Sequence, residues 1–379
     1  SYFELVFLNK QFVFMYFFYW FFCLTLLTLS STKLYAQEQN PKVLNASQNN
    51  FFSEIFQKKN RQHLLMVGSS TVYPFSATIA ENFGYQKKFK TPIVEATGTG
   101  GGFKIFCLGI GFDYPDFVNA SRPILKSEKT KCQENGISVG EIKIGHDGIV
   151  LANSVKGIDY NLTLEEIFLA LANQVPDKSN PEKLVNNPYQ KWSDINSKLS
   201  DQKIVVYGPP PTSGTRDSFS ELVMVKTCLK IPAFIKNYPD EKIRAKKCHL
   251  IRNDNVFIEA GENDNLIVQK LKNNPNTLGI FGFSFLDENH QLIKASKINN
   301  VIPSQDSIVN GSYPISRPLF IYFKKEHLDL IFGMRQFIGE IISNNTLGFE
   351  GYLLQKGLIP LTDLELKNVR DEVEINLKN

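Results

Sequence analysis

The stretch EIKIGHDGIVLANS, residues 141–154, is a β pattern of unusual length interrupted by Gly145 and Gly148. Strands in globular proteins mostly run five or six residues, and a glycine inside one often marks a bend. The pattern predicts one strand that leaves one domain and enters a second. A chain of 379 residues is long enough for both.

Outward from this stretch, strands alternate with helices. Upstream, HLLMV (63–67) predicts a strand that runs into GSSTVYPFS (68–76). Pro74 there opens a helix whose Phe75, Ile79 and Phe83 recur at helical spacing. TPIVEATG predicts a second strand leading through TGTGGGFK (97–104) to a short helix, and DFVNAS a third ending at Ser121–Arg122. Downstream, LTLEEIFLALAN carries a Thr163–Glu166 capping box with a helix behind it. KIVVYG predicts a strand into PPPTSGTRDSFSELVM, NDNLIVQKLKNN a helix, and LGIFGFSFL a glycine-broken strand. SRPLFIYF (316–323) predicts a second crossing strand, and two helices near 326–343 and 349–356 close the fold. The class is α/β, with mixed, mainly parallel sheets. In such sheets ligands sit beyond the strand C-termini, where loops lead into helix N-termini.

Hydrophobic residues make up 42% of the chain and charged residues 21%, enough apolar matter for a sizeable core. A formal net charge of +4, with no basic block longer than KK, gives no footprint for nucleic acid or a membrane surface. The apolar run QFVFMYFFYWFFCLTLLTLS (11–30), followed by Ala36, predicts a signal peptide over 1–36 cleaved near Ala36, with an uncleaved anchor as the alternative. Residues 37–60 read as a polar N-terminal arm. Export leaves Cys107, Cys132, Cys228 and Cys248, an even number that suggests two disulfides. Four cysteines allow three pairings. The sequential one, Cys107–Cys132 with Cys228–Cys248, closes loops of about twenty-odd residues and is the expected one. None of the spacings is CxxC, which argues against a zinc cluster.

Three strand-to-helix junctions share one design. GSSTVYP, TGTGGGFK and PTSGTRD each pair glycine with Ser or Thr at a helix start, and NASRP ends a strand with a hydroxyl and a guanidinium. Glycine lets backbone N–H groups approach an anion closely, and hydroxyls and arginines add donors. Together they point to a tetrahedral oxyanion. Nucleotide and hydrolase motifs fit less well: TGTGGGFK lacks the GK[ST] of a P-loop, and GxSxG is absent. The five histidines show no metal spacing, and His146 beside Asp147 points to the opposite face of a strand.

In GSSTVYPF, ATGTGGGFKIFC, NASR, DGIVLANS, TSGTRDSF, AGENDNLIVQKL, LGIFGFSFL and YPISRPLFIYF, in that order over about residues 63–356, the chain resembles the PstS-type phosphate-binding proteins of bacterial phosphate ABC transporters. The resemblance implies a two-lobed periplasmic binding protein of type II, with helices on both sheet faces and two crossing strands. It implies lobe I over 61–146 and 301–379, and lobe II over 147–300. By motif, the first loop brings Ser70, Thr71, Val72 and Tyr73 to the anion, and the second brings Thr99 and Gly100. NASR brings Ser121 and Arg122; TSGTR brings Ser213, Gly214, Thr215 and Arg216. Some family members carry Asp at the position of Arg122, and that Asp accepts the proton of hydrogen phosphate. Some carry Arg near Pro209. Here Asp147, on the proposed crossing strand, is the expected acceptor in place of the missing Asp.

The expected function is capture of inorganic phosphate in the periplasm and its delivery to a membrane permease, by a monomer that is not an enzyme and uses no cofactor or metal. The alternatives are a receptor for another oxyanion or an organophosphate, an exported phosphatase on the same scaffold, and a membrane-anchored sensor.

Overall fold

The computed structural model describes residues 61–85, 88–261 and 264–378, all within a compact unit spanning Lys59–Asn379. The expected signal peptide and N-terminal arm lie outside the described residues. In chain order, the elements that build the sheet and position the site are β1 (Leu65–Gly68), α1 (Tyr73–Tyr85), β2 (Ile93–Ala96), α2 (Thr99–Phe106), β3 (Phe117–Ala120), α3 (Lys126–Glu134), β4 (Val139–Ser154), α4 (Leu164–Leu171), β5 (Val206–Gly208), α5 (Gly214–Phe219), β6 (Phe257–Glu259), β7 (Leu278–Gly282), α6 (Phe283–Glu288), β8 (Ile293–Ala295), β9 (Ser316–Lys324), α7 (Met334–Ile341) and α8 (Asp363–Lys378).

The strands follow the order β2-β1-β3-β9-β4-β7-β5-β6, with β8 also on β4. β1 pairs in parallel with β2 and β3, and β5 in parallel with β6 and β7. β9 runs antiparallel to both β3 and β4. The sixteen-residue β4 serves both halves. Through Gly148 it pairs with β9, and from Ile149 onward with β7. β1 and β3 are buried along their whole length, as expected of central strands covered on both faces.

Two main cores lie on either side of that hand-over. Met66, Ile79, Phe83, Ile142, Ile144, Ile321 and Phe337 belong to the first. Ile149, Leu151, Phe168, Trp192, Val206 and Phe219 belong to the second. The chain leaves the first core between Ile144 and Ile149 and comes back between Ile315 and Leu319. Ile308, Tyr313 and Ile315 pack in the second core, as does Ile359 further along the chain.

Local signals mostly act as the residues suggest. Thr163 Oγ1 accepts from Glu166 N at 3.1 Å while Thr163 N donates to Glu166 Oε2 at 2.8 Å, closing the capping box of α4. Two differences stand out. LGIFGFSFL forms β7 only to Gly282, after which Phe283–Glu288 turns into α6. The chain ends not with the helices expected up to residue 356 but with α8, which buries Leu366, Val369 and Val373 against the first core. Cys107 is bonded to Cys132 and Cys228 to Cys248.

Candidate functional site

Each glycine-hydroxyl junction does open a helix. Ser70 and Thr71 lie between β1 and α1, Thr99 begins α2, and Ser213 directly precedes α5. The first two junctions are pressed together by two glycines. Gly68 has φ +133°, and a Cβ on Gly102 would lie 2.8 Å from Gly68 Cα. Glycine at 102 lets α2 rest directly on the end of β1, and glycine at 68 lets that end lie against β3, where a Cβ would strike Asn119 O at 2.2 Å. Thr99 Oγ1 then accepts from Ser121 N at 3.2 Å and lies 3.2 Å from Ser121 Oγ, which joins the second junction to the end of β3.

The third junction meets the first across the two cores. Thr71 adjoins Val72 of the first core and Ser218 adjoins Phe219 of the second. Their hydroxyl oxygens are 3.4 Å apart, and Ser70 Oγ donates to Asp217 Oδ2 at 2.7 Å. Val72 is buried and Tyr73 is 40% exposed. A Cβ on Gly214 would lie 3.8 Å from Ser70 O, so the start of α5 stands against the backbone of the first loop. Thr215 follows in the first turn of α5.

A residue not foreseen from sequence sits at the centre. Arg317, on β9, is 8% exposed. Its Nη2 donates to Thr71 Oγ1 at 2.6 Å and to Ser218 Oγ at 2.9 Å, and its Nη1 pairs with Glu221. Glu221 lies in the π-helical turn Ser220–Val225 that continues α5, a geometry that often accompanies functional sites. Arg317 faces Asp147 in the register of β9 and β4. Its buried Nε makes no hydrogen bond within the protein and lies 3.6 Å from Asp147 Oδ2. Asp147 Oδ2 in turn accepts from Ser218 Oγ at 2.8 Å. The signal for Arg317 was a lone charge in the apolar crossing strand SRPLFIYF.

The other two arginines are held elsewhere. Arg122 makes a two-pronged bond to Glu128 at 2.8 and 2.9 Å. That bond raises the guanidinium pKa against the opposing effect of burial. Its Nη2 stays near the second junction, 3.8 Å from where a Cβ of Gly100 would lie. Arg216 lies over the Phe257 ring at 4.4 Å, and its Nη1 donates to Pro209 O at 3.1 Å. Burial lowers its pKa, while Glu259, 3.9 Å away, opposes the shift. His146 stands apart from Asp147: it pairs through its backbone with Ile359, and its Nε2 is 3.6 Å from Glu365 Oε1. Among the described residues no group of three or more His, Cys, Asp or Glu is placed to hold a metal ion.

The Arg317 guanidinium and the hydroxyls of Ser70, Thr71 and Ser218 thus gather where the two cores meet, and Thr99 and Ser121 are joined at the second junction, which packs on the first through Gly102 and Gly68. A family model described as a PBP superfamily domain matches residues 56–345. The phosphate-binding protein PstS of Staphylococcus haemolyticus is 32% identical over 276 residues, 72% of this chain and 73% of its own length. The chain belongs to the PstS-type branch of the PBP superfamily. Protein SphX of Synechococcus elongatus is 30% identical over 265 residues, 68% of this chain and 67% of that protein. Among solved structures, that of a possible phosphate binding protein from Planctomyces limnophilus superposes with a TM-score of 0.67 at 26% identity, covering 84% of this chain and all of that one. The guanidinium bonded to Thr71 and Ser218 is that of Arg317 on the crossing strand, while the arginines of NASR and TSGTR bond Glu128 and the Pro209 carbonyl.

Proposed function

We propose that the chain is an exported, monomeric phosphate-binding protein that captures inorganic phosphate between its two cores and hands it to the permease of an ABC transporter. The observation that carries this is the buried Arg317 flanked by the hydroxyls of Thr71 and Ser218, at the meeting of the glycine-hydroxyl helix starts. Relatives named phosphate-binding protein support the choice of anion. A guanidinium and hydroxyl donors in a buried cleft suit a tetrahedral oxyanion.

Capture follows from where these groups stand. Ser70, Thr71, Thr99, Ser121 and Arg122 come from the first core's side. Ser213, Gly214, Thr215 and Ser218 come from the second, and Arg317 and Asp147 from the strands between them. An anion satisfied only from both sides selects the closed arrangement. Arg216 keeps a supporting place at the start of α5 through Pro209 and Phe257. A periplasmic location fits the family, and no helix among the described residues is long and apolar enough to cross a membrane.

The test is isothermal titration calorimetry on ligand-stripped, oxidised protein with phosphate and then sulfate at pH 6 and pH 8. Tight phosphate binding with weak sulfate binding is expected. Equal binding of both makes this a general oxyanion receptor, and binding of neither removes the transport reading.

A further inference from the structure

We propose that Asp217, acting through Ser70, is the group that reads the proton of the bound oxyanion. The proposal rests on the phosphate reading above and assigns the residue that separates hydrogen phosphate from sulfate.

The argument begins with the number of hydrogens. A serine hydroxyl has one hydrogen and two lone pairs, and an ionised carboxylate has none to give. Ser70 Oγ lies 2.7 Å from Asp217 Oδ2, so the Ser70 hydrogen is committed to Asp217. Ser70 is half-buried at the first junction, and what it has left for the cleft is lone pairs alone. Thr71, one residue on, has the opposite polarity. Its Oγ1 accepts from Arg317 Nη2 at 2.6 Å, so its own hydrogen donates, either to Ser218 Oγ 3.4 Å away or to a ligand. Two neighbouring hydroxyls thus present one acceptor and one donor.

Hydrogen phosphate carries a P–O–H near neutral pH and can donate to Ser70. Sulfate carries no hydrogen there, so its oxygen meets a lone pair at the same place. Such a repulsive element rejects the wrong ligand without improving the right one. Each of the other nearby carboxylates already holds a partner of its own. Asp147 Oδ2 accepts from Ser218 Oγ and balances Arg317, which stands 3.6 Å away. Glu128 is held by both prongs of Arg122, and Glu221 by Arg317 Nη1. Ser70 belongs to the first core's loop and Asp217 to the second core's helix α5, so the orienting bond exists only when the two sides are together. Discrimination is thereby tied to closure. Asp217 is a positioning residue: it sets the polarity of Ser70.

The experiment measures phosphate and sulfate affinities by calorimetry at pH 7 for the full chain and for Asp217→Ala, Asp217→Asn, Ser70→Ala and Asp147→Asn. Asp217→Ala frees the Ser70 hydroxyl to donate, and the sulfate-to-phosphate affinity ratio rises by about tenfold or more. Asp217→Asn keeps a carbonyl oxygen that accepts from Ser70, and its ratio stays within about threefold of wild type. Asp147→Asn weakens both anions without changing the ratio. An unchanged ratio in Asp217→Ala, or admission of sulfate by Asp147→Asn instead, overturns the proposal. If Asp217→Ala binds neither anion, Ser70→Ala decides: a gain for sulfate supports the proposal, while an unchanged ratio, or binding of neither, overturns it. Wild type that binds both anions equally overturns the proposal alone, whereas wild type that binds neither overturns the phosphate reading with it.

Discussion

Arg317 and Asp147 face each other across the two crossing strands, and Ser218 of the second core bridges them, accepting from Arg317 Nη2 at 2.9 Å and donating to Asp147 Oδ2 at 2.8 Å. The crossing strands therefore carry a charge pair whose bonds reach Thr71 beside the first core and Ser218 beside the second. Truncating one member of a buried, hydrogen-bonded charge pair costs about 2–5 kcal/mol. Arg317→Ala is accordingly expected to weaken phosphate binding by about a hundredfold or more. Arg317→Lys keeps the charge but loses the fork that holds Glu221 through Nη1 while Nη2 serves Thr71 and Ser218, and falls between. Titration calorimetry checks both, and wild-type affinity in Arg317→Ala contradicts the central place given to this residue.

The three consecutive glycines of TGTGGGFK are not equivalent. A Cβ on Gly102 would lie 2.8 Å from backbone Gly68 Cα, whereas one on Gly101 would meet Thr97 Cβ at an ordinary 3.6 Å. Gly101→Ala gains helix propensity of about 0.5–1 kcal/mol and is expected to leave stability equal or higher. Gly102→Ala forces α2 off β1 and is expected to cost about 1–3 kcal/mol, typical of overpacking. Urea unfolding of the two variants distinguishes them, and equal stabilities refute the packing argument.

What the sequence revealed about the site was local, and what it hid was long-range. The glycine-hydroxyl junctions, the crossing strand with Gly148 and the Thr163–Glu166 cap are written within a few residues of chain. Arg317 was visible as a charge in an apolar strand, but its partners lie far off in sequence, at Thr71, Asp147, Ser218 and Glu221. They are fixed by the register of β9 on β4 and by the approach of α5. Arg216 follows the TSGTR motif, yet the face of Phe257 on β6 draws it aside. The tie between Arg122 and Glu128 was within reach, six residues apart, with Arg122 on the loop into α3 and Glu128 in its first turn. The terminal helix α8 escaped notice because it is largely polar and buries only Leu366, Val369 and Val373.

Each disulfide closes a short loop around one packed region. Cys107–Cys132 spans 25 residues and ties the end of α2 to α3, and Cys228–Cys248 spans 20 residues beside the second core. On the loop-entropy model each contributes about 3 kcal/mol. Replacing either pair by serines is expected to lower the melting temperature by a few degrees, with a larger fall when both are replaced. A reducing agent should reproduce the double effect in wild type. Thermal melts insensitive to reduction speak against a stabilising role.

A pH effect is expected where the terminal helix meets the crossing strand. Glu365 accepts from Lys143 Nζ at 2.6 Å on β4 and from Thr362 N at 3.0 Å at the start of α8. Burial works against its ionisation, but the bonds from Lys143 and Thr362 and the nearby charges of Lys143 and His146 outweigh it and hold the carboxyl at about 2. Its ordinary value is 4.5, so the unfolded chain binds its proton more readily than the folded one. Stability from this group is therefore complete above pH 4.5 and is lost as pH falls toward 2. At pH 7, Glu365→Gln should cost about 1 kcal/mol, the scale of a helix cap with a partly exposed ion pair. Denaturant unfolding of both proteins at pH 7, 4.5 and 3 is expected to show that gap intact at the first two values and shrinking at the third. A gap that stays constant down to pH 3 would mean that the carboxylate's charge has no part in holding α8 to the crossing strand.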